Sequence, residues 1–198
     1  MIRVPLRELL SQHPKVAVDL PDFTPAAVLL LLYPKDGQYH LALTRRTSHV
    51  EHHKGEVSFP GGALHDEDGS LMEAALRENE EEIGVPAAVV EVVGELDDFP
   101  TYTRYVITPF VGVATQGLSF APSPIEVDKV LEVPLSALLV QGALRERVRE
   151  RGGITIADYV FEYEEDVVWG ATGRILRHFL HIAAPTLRQV TVNWKPWT

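Results

Sequence analysis

The sequence predicts an α/β fold in which a mixed β-sheet lies between helices. Three observations carry that prediction. Apolar runs of strand length recur along the chain, at 26–33 (AAVLLLLY), 89–96 (VVEVVGEL) and 106–114 (VITPFVGVA). Two stretches of helical periodicity separate or follow them, one at 71–83 and one entered at about 170. Strands alternating with amphipathic helices make a layered sheet whose faces the helices cover. The 198 residues are 45% hydrophobic and 23% charged, enough to bury one good core, so one domain over 1–198 is expected.

Taken in order, residues 1–13 carry Ile2, Leu6, Leu9 and Leu10 at near-helical spacing before Pro14, and predict a short helix. Residues 26–33 are apolar without a break, as suits a strand buried on both faces. Lys35-Asp36-Gly37-Gln38 is a turn signal leading into Tyr39–Leu43, so the two form a hairpin. Later strands are expected over 89–96, 106–114, 125–135 and 154–163. A short packing helix is expected at 134–139, and 145–151 is a basic turn or sheet edge. The helix beginning near Trp169 presents Ile175, Leu176, Phe179 and Leu180 on one face. The tail from Pro185 to Thr198 has no assigned role and is free to pair with another chain, so a homodimer is among the expected partners.

The chemistry centres on 61–85, GGALHDEDGSLMEAALRENEEEIGV. Ser70 with Glu73 three residues on is a capping box, and Gly84 followed by Pro86 is a stop signal, so the helix spans about 71–83. Met72, Ala75, Leu76, Asn79 and Ile83 form the stripe expected to pack on the sheet. Glu78 and Glu82 share a neighbouring face with Glu81 beside them. Acids at the carbonyl end of a helix cost up to about 1 kcal/mol each. Two carboxylates roughly 6 Å apart repel by about 3 kcal/mol at an effective dielectric near 20. A divalent cation would offset this, and oxygen-only ligands select Mg²⁺ or Mn²⁺. A solvated acidic face is the alternative reading.

At these residues the chain resembles the Nudix hydrolases, whose box reads G, five residues, E, seven residues, then R-E-U-x-E-E-x-G-U, where U is aliphatic. Gly62 opens it, and Arg77, Glu78, Glu81, Glu82, Gly84 and Val85 match its second half, so the box covers 62–85. Asp68 stands where the first glutamate belongs, with one residue too many before Arg77, and Asn79 replaces an aliphatic residue. Residues 42–62, ALTRRTSHVEHHKGEVSFPGG, look like the signature of the coenzyme A pyrophosphatase branch, L-L-T-x-R-[SA]-x3-R-x3-G-x3-F-P-G-G. Leu43, Thr44, Arg46, Gly55, Phe59, Pro60, Gly61 and Gly62 match in register; Ala42, Thr47 and Glu51 depart, the last by a charge reversal.

The resemblance implies a Nudix-type α/β/α sandwich and a Mg²⁺-dependent pyrophosphohydrolase. Its substrate would be coenzyme A or a derivative, split into adenosine 3′,5′-bisphosphate and 4′-phosphopantetheine. Glu78, Glu81 and Glu82 are the expected metal ligands. Glu81 and Glu126 are the candidates for the base, Glu126 because related enzymes take a further acid from outside the box. Arg77 is expected to orient the glutamates. Arg45, Arg46 and Lys54 are cations on an acidic chain just ahead of the carboxylates, as a phosphate-rich substrate requires; Gly61 and Gly62 permit close backbone approach. Phe99, Tyr102 and Tyr105 are adenine-stacking or anchoring candidates. His49, His52 and His53 invite a metal reading, because His49 and His53 would share a helix face, but the segment has no helix signals, and a loop histidine touching substrate or solvent is the reading.

Another nucleoside diphosphate derivative, such as ADP-ribose, or an oxidised nucleoside triphosphate remains an alternative substrate, and a non-catalytic nucleotide-sensing module is a third reading. A formal net charge of −10 argues against nucleic-acid binding. The absence of cysteine excludes disulfides, thiolate zinc sites and a cysteine nucleophile. With no apolar run near 18 residues and no secretory pattern at the N-terminus, a cytoplasmic protein without membrane association is expected.

Overall fold

The computed structural model describes residues 2–47, 55–151 and 154–192. Its elements in chain order are α1 (Arg3–Ser11), β1 (Thr24–Lys35), β2 (Gln38–Arg46), β3 (Val57–Ser58), β4 (Gly61–Ala63), α2 (Leu71–Ile83), β5 (Val90–Glu95), β6 (Phe99–Pro100), β7 (Tyr105–Ala114), β8 (Val127–Pro134), α3 (Leu135–Leu138), β9 (Leu144–Arg151), β10 (Ile154–Tyr163), β11 (Asp166–Val168) and α4 (Gly170–Val192).

The large sheet is mixed. Its main order is β3-β2-β1-β7-β5, with β4 on β1, β6 on β7 and β8 on β2, while β11-β10-β9 form a separate antiparallel sheet. β1 is the axis, because it pairs antiparallel with β2 and β4 and parallel with β7. The β1–β2 hairpin turns through Asp36 and Gly37, both at positive φ (47° and 78°), as a two-residue hairpin loop requires.

The side-chain parity of β1 explains the layers. Leu30 and Leu32 point into one core with Ile2, with Leu6 and Leu10 of α1, and with Ile175, Leu176 and Phe179 of α4. Ala27, Leu29, Leu31 and Tyr33 point into the other, against Ala74, Ala75 and Ile83 of α2. All four leucines from 29 to 32 are fully buried, so a one-residue slip of β1 would exchange two cores at once. The result is a helix–sheet–helix sandwich, as the unbroken apolar run implied. No helix among the described residues is long and apolar enough to cross a membrane.

Two helix expectations change. The buried face of α2 is Ala74, Ala75, Asn79, Glu82 and Ile83, whereas Met72 is 40% exposed. The helix is rotated about its axis relative to the expected stripe: alanines let it lie close on the sheet, and the rotation carries Glu82 inward. α4 does not stop at Pro185 but runs through it to Val192. Leu187 beyond the proline is fully buried in the core, and that packing outweighs the lost N–H of an interior proline. Residues 185–192 are therefore helix rather than an unassigned tail.

Candidate active site

The ends of α2 are fixed locally. Ser70 Oγ accepts from the Glu73 N–H at 3.2 Å, and Glu73 returns a carboxylate oxygen to the Gly69 N–H at 2.9 Å. At the other end Gly84 is left-handed (φ 71°) and its N–H donates to Glu80 O. Asn79, placed where an apolar residue was expected, is fully buried and donates through Nδ2 to Val85 O at 2.9 Å. It ties the helix end to the chain that leaves it.

The C-terminal carbonyls of α2 find donors from afar. Ala121 N–H donates to Ile83 O and Ser123 N–H to Glu82 O, both at 2.9 Å. These bonds reduce the negative end of the helix where the acids gather. They also bring up the segment that carries Glu126, whose backbone oxygen accepts from the Thr47 N–H at 2.9 Å. Glu126 itself is exposed.

Arg77 organises the acids. Its Nε and Nη2 form a fork on Asp68, each at 2.9 Å, and its Nη1 reaches Glu78 at 2.8 Å and Glu81 at 3.0 Å. Nη2 also contacts Ala63 O at 3.3 Å. Asp68 in turn accepts from the His65 N–H, and its hydrogen bonds from Arg77 above all, then from His65, hold its pKa down at about 2. The irregular loop thus positions its acid: the extra residue and the shorter side chain still deliver a bidentate partner to Arg77. No role was expected of Asp68, and the departure from the box pattern at that position was the signal.

Glu82 is the other pole. It is 2% exposed, yet its neighbours are distant, with Thr44 Oγ1 at 3.5 Å and Arg46 Nη1 at 3.7 Å. Burial, the largest cause, pushes its pKa up to about 8; Arg46 opposes this while Glu78 and Glu126 add to it. Glu78 lies against Gly62, where any Cβ would run into its carboxylate. Gly61 is glycine for a different reason: a Cβ there would strike the β1 backbone at Ala27 O.

Parity in β2 separates the two arginines. Arg46 shares the face of Ala42 and Thr44 and looks toward Glu82, and its buried Nε has no partner among the described residues. Arg45 points the opposite way, ion-paired with Asp128 and Asp166 at 2.9 Å. It is not brought to the glutamates, contrary to the substrate-binding role expected of it, because consecutive strand residues face opposite sides. Phe99 is likewise turned away, against His178 and Arg174 of α4. Lys54 and the His49–His53 segment lie outside the described residues.

The oxygen-only donor set of Glu78, Glu81, Glu82 and Glu126 suits a hard divalent cation. A buried carboxylate with no strong donor, Glu82, is the feature a cation would satisfy. The glutamates do not converge tightly: Glu78 and Glu81 both lean on Arg77, and Glu81 is 60% exposed. That fits a hard divalent cation that keeps part of its water shell.

Comparison with known proteins shows what the chain is similar to. Residues 23–158 match the NUDIX domain family. The chain is 38% identical over 165 residues to the uncharacterized Nudix hydrolase NudL of Escherichia coli O1:K1, covering 83% of this chain and 85% of NudL, with the same figures for NudL of Enterobacter sp. strain 638. Among solved structures, a MutT/nudix family protein from Enterococcus faecalis superposes with a TM-score of 0.52 at 15% identity, covering 91% of this chain and 70% of that one. A Deinococcus radiodurans protein gives the same score and identity over 78% and 81%. Both likenesses concern the fold alone.

Proposed function

The chain belongs to the Nudix family and is a hydrolase of the pyrophosphatase type, and from that premise we propose that it cleaves the phosphoanhydride of coenzyme A or a derivative in the presence of Mg²⁺ or Mn²⁺. The products are adenosine 3′,5′-bisphosphate and 4′-phosphopantetheine. The supporting observation is that the signature and the box meet: Thr44 and Arg46 lie beside Glu82, and Gly62 lies against Glu78.

Hydrolysis of a phosphoanhydride asks for positioning and for neutralisation of oxygen charge more than for covalent work by the protein. Glu78, Glu81 and Glu82 would hold the cation, which when bound supplies charge neutralisation and acidifies water. Arg77 keeps Glu78 and Glu81 in place and is itself fixed by Asp68. Arg46, which looks toward Glu82, supplies a cation for a substrate phosphate on a chain of net charge −10. Gly61 and Gly62 keep the backbone close enough for the diphosphate to approach the carboxylates. The attacking water forms one P–O bond as the bridging P–O bond breaks, and its proton passes to a carboxylate. Glu126 suits that role better than Glu81, because Glu81 shares the Arg77 guanidinium while Glu126 shows no ion pair among the described residues.

Incubation with Mg²⁺ and a panel of coenzyme A, its disulfide, ADP-ribose and an oxidised nucleoside triphosphate, with products resolved by chromatography, tests this. Coenzyme A or its disulfide is expected to turn over fastest. Preferential cleavage of ADP-ribose overturns the substrate assignment, and ligand binding without any product overturns catalysis. Glu78→Gln and Glu82→Gln are each expected to lower kcat by about 10²-fold or more; wild-type rates at saturating Mg²⁺ would remove them from the metal site.

A further inference from the structure

On the face of the sheet away from α2, the described residues gather a second set of metal-capable groups. The ligand atoms of His13, Asp97 and His178 all lie within 4.8 Å of one another. They come from three distant places: the turn after α1, the connection between β5 and β6, and the middle of α4. His13 Nε2 is 2.9 Å from Asp97 Oδ1, and His178 Nε2 is 3.3 Å from Asp97 Oδ2. The His178 nitrogen is buried and has no hydrogen-bond partner among the described residues. The Val16 N–H donates to Asp97 Oδ1, the oxygen nearest His13, at 3.0 Å.

The arrangement suits a metal, because two imidazole nitrogens and a carboxylate from three separate elements meet within 4.8 Å and the buried His178 nitrogen has no hydrogen-bond partner among the described residues. Zn²⁺ bonds of about 2.0–2.1 Å in a tetrahedron put neighbouring donors about 3.3 Å apart; His178 Nε2 already stands 3.3 Å from Asp97 Oδ2, while His13 Nε2, 2.9 Å from the other oxygen, must open by a few tenths of an ångström. Two imidazoles and one carboxylate are a borderline-soft set that selects a transition metal rather than Mg²⁺. The three side chains keep 19–22% exposure, which leaves room for water as a fourth ligand.

We propose that His13, Asp97 and His178 form a Zn²⁺ site, separate from the glutamate cluster, that clips the N-terminal segment and α4 to the β5–β6 connection. It shares no residue with the proposed catalytic centre and stands or falls independently of the substrate.

The full-length protein, stripped with chelator, is titrated with Co²⁺ alone and then with Zn²⁺. One equivalent of Co²⁺ is expected to bind with the visible absorption of a tetrahedral nitrogen–oxygen site, to be displaced by Zn²⁺ and not by excess Mg²⁺. His13→Ala and His178→Gln should each weaken binding by at least about tenfold, while Glu78→Gln leaves the absorption in place. Circular dichroism checks that each variant is folded, and either histidine variant suffices. Absence of the absorption in the wild-type protein overturns the proposal by itself. So does its survival in a folded histidine variant, or its loss in Glu78→Gln.

Discussion

Adding one methyl group at each of two adjacent glycines should give opposite results. In Gly62→Ala the atoms nearest the new Cβ belong to the end of the Glu78 side chain, with Cδ at 2.6 Å and Oε2 at 2.9 Å. A flexible carboxylate can yield, so stability should fall by less than about 1 kcal/mol, a Tm change of no more than about 4 °C for a chain of this size. Restoring ordinary contact moves the carboxylate by about 1 Å, however, and displacement of that order at a reacting centre costs about 10²-fold. In Gly61→Ala the Cβ meets the backbone of Ala27 and Val28 in the middle of β1, which cannot yield. That variant should lose about 1–3 kcal/mol, roughly 3–10 °C in Tm. Differential scanning calorimetry and steady-state kinetics on coenzyme A measure both. If Gly62→Ala keeps wild-type kcat, or if it loses as much Tm as Gly61→Ala, the placement of Glu78 against residue 62 is wrong.

The β2 arginines should separate in the same manner. Arg46→Ala removes a charge-assisted contact worth about 1.5–3 kcal/mol and should lower kcat/KM by about 10–100-fold at nearly unchanged Tm. Arg45→Ala leaves Asp166, 4% exposed, short of a donor and should cost about 1–3 kcal/mol of stability with KM preserved; the reverse pattern would refute the parity assignment. A third expectation concerns pH. Glu82 titrates near 8 in the metal-free fold against an ordinary carboxylate value of about 4.3 in the unfolded chain. The folded state therefore binds the extra proton across that window, and metal-free stability falls as pH rises through it. A cation must displace that proton, so Mg²⁺ affinity should climb by up to about tenfold per pH unit between about pH 6 and 8. Calorimetric titration at several pH values checks this, and a flat profile contradicts the burial of Glu82.

Local signals were legible wherever one stretch of chain held all the partners. The ends of α2 at Leu71 and Ile83 follow from Ser70, Glu73 and Gly84, and the β1–β2 hairpin follows from Asp36-Gly37 between apolar runs. The double burial of β1 is written in its unbroken apolar run. The concentration of acid near the end of α2 is equally plain from the order of residues alone.

Tertiary structure decided what depends on partners distant in sequence. Rotation of α2 by a fraction of a turn buried Glu82 and exposed Met72, because small alanines, not the largest apolar side chains, set how close the helix lies to the sheet. Alternation along β2 could have shown that only one of Arg45 and Arg46 reaches the acids; which one depended on where Leu43 was buried. Asp68 gained its partner through a loop whose length disguised it, and α4 passed Pro185 because Leu187 found the core. The meeting of His13, Asp97 and His178 has no local trace at all. Periodicity and capping act over one or two turns, whereas closure of the sandwich brings together groups whose contact energy no short window of sequence contains.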